Sequence, residues 1–142
     1  MIAISEIKGK AYELGEKIGV EKSSTLYPIF SEATDIVDLY NDGTSVYVEN
    51  STYNYIIMNR GNISRQYKYK DVDGILYAIF KSITFQIASD YEKSNRKENE
   101  DFRRQLFDKQ LELLSNINKN FAERRKKEID EILKISPFRD SK

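Results

Sequence analysis

Residues 46–70 read VYVENSTYNYIIMNRGNISRQYKYK, and along this stretch the spacing of the apolar side chains falls to two. Val46 and Val48 alternate with Tyr47 and Glu49. Tyr53, Tyr55 and Ile57 alternate with Asn54, Ile56 and Met58, and Ile63, Tyr67 and Tyr69 with Ser64, Gln66, Lys68 and Lys70. Period two in residues rich in tyrosine and β-branched side chains predicts strands. Asn50-Ser51 and Arg60-Gly61-Asn62 are short enough to be hairpin connections, so the three strands form an antiparallel meander. Asp35 to Tyr40, closed by Asn41-Asp42-Gly43, is a candidate fourth strand. Only the third strand separates polar from apolar sides cleanly, which predicts a sheet with one face under helices and the other partly wet.

On either side of the meander the period lengthens. Ile4, Ile7, Ala11, Leu14 and Ile18 recur at steps of three and four, an amphipathic helix ending near Gly19. Gly9 and Gly15 weaken it, each by up to ~1 kcal/mol against alanine, so it depends on docking. After the meander, Asp71 or Asp73 can cap a helix whose polar positions Ser82, Gln86, Ser89 and Lys93 form one narrow stripe. A helix apolar around most of its circumference is buried, and it is expected to be the hub, with the sheet on one side and later helices on another. A third helix carries Phe102, Leu106, Phe107, Leu111, Leu113, Leu114 and Ile117. A fourth, beginning near Asn120, presents Phe121, Ala122, Arg125, Ile129, Ile132 and Leu133 and stops at Ser136-Pro137. The fold class is α+β: an N-terminal helix, an antiparallel three- to four-stranded meander, then three helices with a buried central helix.

With 142 residues the chain is read as a single domain, 1–142. Lysine and arginine total 23, aspartate and glutamate 23, and histidine and cysteine are absent. Charge balance argues against a dedicated nucleic-acid binder, which needs cations to displace counterions. Without histidine or cysteine there is no Ser-His-Asp or Cys-His catalysis and no zinc-cysteine site. The first twenty residues intersperse charge evenly rather than leading into an apolar run, and Ile75 to Tyr91 is too polar to span a bilayer. The expectation is a cytoplasmic protein with no cofactor, no metal, and neither nucleic acid nor membrane as partner.

Three clusters invite a chemical reading. Asp90, Glu92, Glu98, Glu100 and Asp101 could bind magnesium or act as acid and base, but Arg96, Lys97, Arg103 and Arg104 share the window. The plainer reading is a structural ion-pair junction of Asp90, Glu92, Arg96, Asp101, Arg103 and Arg104, joining the end of the hub helix to the start of the third. Arg124-Arg125-Lys126-Lys127 points four ways on a helix and has Glu123, Glu128, Asp130 and Glu131 in reach, so it reads as a solvated face. Third, residues 1 to 50 carry nine acidic and four basic side chains, and from Ser23 to Asn59 there is no lysine or arginine. Acid with tyrosine is an interface composition, since carboxylates steer a basic partner and rings anchor it. The candidate partner-binding residues are Asp38, Tyr40, Asp42, Tyr47, Glu49, Tyr53 and Tyr55.

From the hub helix onward, Asp73, Phe80, Asp90-Tyr91-Glu92, Arg96, Asp101 with Arg103-Arg104, Phe107, Gln110-Leu111-Glu112-Leu113-Leu114, Phe121, Arg124-Arg125 and Pro137-Phe138 with Asp140 follow in order. In this order and spacing the chain resembles the immunity protein 63 family of bacterial polymorphic-toxin and contact-dependent inhibition systems. The resemblance implies an α+β protein without catalysis that binds a cognate secreted toxin domain stoichiometrically; the chain itself is expected to be a monomer or weak dimer. The acidic segment would suit a basic surface such as a nuclease presents. Two other classes fit the residues. A non-catalytic adaptor would associate, with itself or another protein, through the last two helices, and a carboxylate-metal nuclease would work through Asp90 and Glu92.

Overall fold

Two tight hairpins set the register of the sheet. Asn50 and Ser51 both have positive φ, 53° and 57°, and so do Arg60 and Gly61, 53° and 78°. Positive φ at both central residues is what a type I′ turn requires, and it matches the right-handed twist of the flanking strands. The computed structural model describes residues 2–32 and 42–141 of the chain. The elements are α1 (Ile4–Glu16), β1 (Ile29–Phe30), β2 (Gly43–Glu49), β3 (Thr52–Asn59), β4 (Asn62–Tyr69), α2 (Val72–Ser94), α3 (Phe102–Ile117) and α4 (Lys119–Ile135). The α+β class, the N-terminal helix, the meander and the three following helices stand as the sequence predicts.

The fourth strand is a correction. It is β1, which lies at Ile29–Phe30 and pairs parallel with β2, so the sheet is mixed, in the order β1-β2-β3-β4. Two residues beside Pro28 leave no room for an alternating pattern to show. The candidate strand at Asp35 to Tyr40 falls outside the described residues.

By contacts the chain gathers into two compact units, residues 1–79 and 80–142, with the boundary inside α2. In the first unit, cross-strand partners share a face. Val46 pairs with Tyr55 and Val48 with Tyr53, while Ser45 pairs with Ile56 and Tyr47 with Asn54. Val46, Tyr53 and Tyr55 are buried on one side, and Ser45, Tyr47, Asn54, Ile56 and Met58 on the other. The expected wet face is therefore not found on β2 and β3, which are buried on both sides. The exposed part of the sheet is the edge strand β4, exposed from Asn62 through Lys68. Helix α1 covers the Val46 face: the Tyr53 hydroxyl accepts from the Ile2 N–H at 3.2 Å, and Tyr12 meets Phe30 edge-on at 6.3 Å. Gly15 has a packing reason. A Cβ there would lie 1.8 Å from the hydroxyl of Tyr27, which is buried and donates to the Val20 carbonyl at 3.0 Å.

In the second unit, the α2 residues from Phe80 onward, α3 and α4 meet over Ala88, Leu106, Phe107 and Ile129, with Leu111, Leu133 and Phe138 packed against them. Beside this apolar cluster runs a buried polar chain. The Gln110 amide, fully buried, donates to the Lys81 carbonyl at 3.0 Å and to the Thr84 hydroxyl at 3.3 Å. Its oxygen accepts from Arg125 Nε at 2.9 Å, and Arg125 continues to Glu128, which also meets Lys81. One amide thus joins α2, α3 and α4. Arg125 is buried, which corrects the solvated-face reading of Arg124 to Lys127 at that position; its apolar-face spacing with Phe121 and Ile129 is the signal that holds.

Gln110→Leu leaves Arg125 Nε without its buried acceptor, with the Glu128 contact remaining, and should cost about 2–4 kcal/mol in chemical denaturation. Arg125→Met added to it should cost less than the sum of the singles, with a coupling of about 1–3 kcal/mol. Additive losses would show that the amide and the guanidinium do not act as a pair.

Candidate functional site

The residues expected to face a partner are scattered by the sheet. Tyr47 pairs with Asn54 and so lies on the face opposite Tyr53 and Tyr55. All three rings are buried, at 7%, 1% and 7% exposure. Tyr47 accepts from Gln66 Nε2 at 3.3 Å, and the same nitrogen donates to Asn54 Oδ1 at 3.2 Å. Burial, and secondarily the carboxylate of Glu49, raises the Tyr47 hydroxyl pKa above its ordinary value. These rings serve as core, and they do not present contact area. Asp42 and Glu49 are exposed but stand at opposite ends of β2, roughly 20 Å apart at the usual strand rise. Asp42 is also committed locally, accepting the Arg60 N–H at 2.6 Å and bracing the turn between β3 and β4. Asp38 and Tyr40 lie outside the described residues.

Strand β4 is what the sheet exposes instead. It pairs with β3 along one edge, from Asn59 opposite Asn62 to Tyr53 opposite Tyr69, and among the described residues no strand lies on its other edge. Ile63 and Tyr67 are 48% and 41% exposed. Between Glu49 and Asp71 the chain has no carboxylate, while Arg60, Arg65, Lys68 and Lys70 supply four cations. Arg65 Nη1 lies 3.4 Å from the Tyr67 hydroxyl, and the Tyr67 ring lies 6.4 Å from that of Tyr55. The strand's alternation predicts a buried side and a solvent side, whereas both sides are exposed from Asn62 to Lys68. The cation-only charge of the hairpin was the available sign that this strand lies outside the core.

In the helical unit the ion-pair residues form two groups. Glu92, 3% exposed, is gripped by Arg96 through two bonds of 3.0 Å at the end of α2. That bonding holds its carboxyl below the usual range. Asp101 caps α3 by accepting from the Arg103 N–H at 3.0 Å, pairs with the Arg103 guanidinium at 2.8 Å, and accepts the Arg139 N–H at 2.9 Å. Asp140 accepts the Asp101 N–H at 2.8 Å and pairs with Arg104 at 3.0 Å. Arg103 also donates to the Ser136 and Pro137 carbonyls, and Arg104 sits 4.1 Å over the Phe138 ring. The Asp101 group therefore fastens the start of α3 to the segment after α4. Asp90 stands apart, accepting from Gln86. Glu92, Asp101, Glu100 and Phe102 line a shallow concavity of about 390 Å³ with Arg96 and Arg139. Both of its buried carboxylates are already held by arginine. Among the described residues no three carboxylates are placed to share a metal ion, and no helix is long and apolar enough to cross a membrane.

The family model for immunity protein 63 matches residues 49–131, more than half of the chain, running from the end of β2 through β3, β4, α2 and α3 into α4. The chain belongs to the immunity protein 63 family. No curated protein and no solved structure matches it. An immunity protein has a toxin protein for a partner. Within the matched span of this immunity protein lie the exposed β4 strand and the Gln110–Arg125 pair, whereas Asp42 and the Ser136–Asp140 segment lie outside it.

Bonding to Arg103, then backbone donation from Arg139 and Arg103, holds the Asp101 carboxyl well below its ordinary value. A carboxyl depressed in the folded state stabilises above its unfolded pKa, and the contribution is lost as pH falls through the folded one. Asp101→Asn keeps an oxygen for the cap and removes the charge. The variant should melt below wild type at pH 7, and the gap should close as pH falls from about 4 downward. Melting temperatures across pH 2 to 7 check this, and a constant gap would mean the charge contributes nothing.

Proposed function

We propose that this immunity protein binds its cognate toxin domain directly and neutralises it by stoichiometric capping, in the cytoplasm of the producing cell, without turnover. Family membership carries the reading. The residue inventory supports it: with no histidine or cysteine, the usual general base and thiolate nucleophile are missing. The buried carboxylates Glu92 and Asp101 are each tied to an arginine, an arrangement that fixes helix ends rather than activating water. What an occluding protein needs is a rigid scaffold and an accessible surface with slow release. The helical unit supplies buried, satisfied polar packing, and the hairpin supplies the surface.

Capping and catalysis differ in their stoichiometry. Titrating the purified chain against its cognate toxin domain should reduce toxin activity linearly to a break at one equivalent, and co-expression should restore growth. Full protection at a small fraction of an equivalent would point to an enzyme acting on the toxin or its product. No protection at any ratio would remove the proposal altogether.

A further inference from the structure

Resting on that reading, we infer that β4 is the toxin-docking element, and that it receives an acidic, extended segment of the toxin domain as an added strand on its open edge.

The geometry is that of an incomplete sheet. Strand β4 spans eight residues, long enough for a full complement of ladder bonds, and among the described residues it pairs on one side only. Alternate backbone N–H and C=O groups along its other edge point away from β3, as pairing of a single edge dictates. Its side chains are exposed on both faces from Asn62 to Lys68, so an incoming strand would find Ile63 on one side and Tyr67 on the other. Main-chain bonds would supply affinity and the alternating side chains selectivity.

Charge selects the occupant. The β3–β4 hairpin, residues 50–70, holds Arg60, Arg65, Lys68 and Lys70 and no acid. A second copy of this chain is disfavoured, because pairing β4 with β4 sets these cations against their own copies. The same charges that guard the edge from self-association admit a strand bearing carboxylates opposite Arg65 and Lys68. A nucleic acid would also answer to cations. It makes no ladder with an open backbone edge, and the chain as a whole has no cationic excess.

The test uses the full chain and its cognate toxin domain. Hydrogen exchange in the complex should slow about tenfold or more at alternate β4 amides, those not bonded to β3. Arg65→Glu with Lys68→Glu should weaken binding at least about tenfold and flatten its salt dependence. The same two-charge change at Lys10 and Lys119, exposed positions that are not part of the hairpin, should leave affinity unchanged. If the complex forms and β4 exchanges as in the free protein, or if the β4 variant binds as tightly as wild type, the docking inference is wrong and capping stands. If wild type binds a single-stranded oligonucleotide through the same two residues, β4 is a polyanion surface and the inference also fails. If wild type neither binds nor protects, the functional reading falls first and this inference with it.

Discussion

A guanidinium placed among three helices must be satisfied by groups that arrive from all of them. Arg125 from α4 meets the Gln110 oxygen from α3, while the Gln110 nitrogen reaches the Lys81 carbonyl and Thr84 hydroxyl of α2. Each partner is specified by geometry, so a helix that slips by one turn loses the bond and leaves a buried charge or amide unpaired. Apolar contacts among Ala88, Leu106, Phe107 and Ile129 supply most of the adhesion but tolerate sliding. The polar chain is what makes one packing of residues 80–142 preferable to its neighbours.

The sheet solves a different problem. Strands β2 and β3 are buried on both faces, which consumes the tyrosines that composition alone would assign to a surface. A polar set, Tyr47, Asn54 and Gln66, closes one face by mutual hydrogen bonds and links β4 to the interior. Strand β4 is thereby held firmly along one edge, while no described strand lies on its other edge and its side chains from Asn62 to Lys68 stay exposed. Rigidity and availability are combined in one strand, which is what binding without a large ordering cost requires.

The meander, its two turns and the helices were legible because each is decided locally: period two, glycine or asparagine at positive φ, and caps such as Asp71 and Asp101 that accept from the first turn. Strand β1 was not legible, since two residues carry no period and their pairing with Ser45 and Val46 is nonlocal. The same limit hid the tyrosines. Tyr47 and Tyr53 look alike in composition, yet one hairpin register sends them to opposite faces, both of them covered. Gly15 reads as a flaw in a helix until Tyr27 is seen to occupy the space its side chain would need. Residue type marked charged groups that pair, but among the described residues their bonds do not join the end of α2 to the start of α3. Glu92 and Arg96 pair within α2, and the Asp101 group has its far end at Asp140, about forty residues away in sequence, which could only be located in three dimensions.

That far end has a practical bearing. The stretch from Ser136 to Asp140 behaves as a clasp, returning past α4 to fasten the entrance of α3 through Arg103, Arg104 and the Asp101 carboxylate. The span recognised by the family model stops at residue 131, before any part of this clasp. A fragment trimmed to that span would retain α3 and most of α4 but open the latch between their distal ends, leaving Asp101 with Arg103 alone and Arg104 without its carboxylate. Boundaries drawn from family likeness and boundaries drawn from mechanical closure therefore differ in this protein, and the second should govern where the chain is cut.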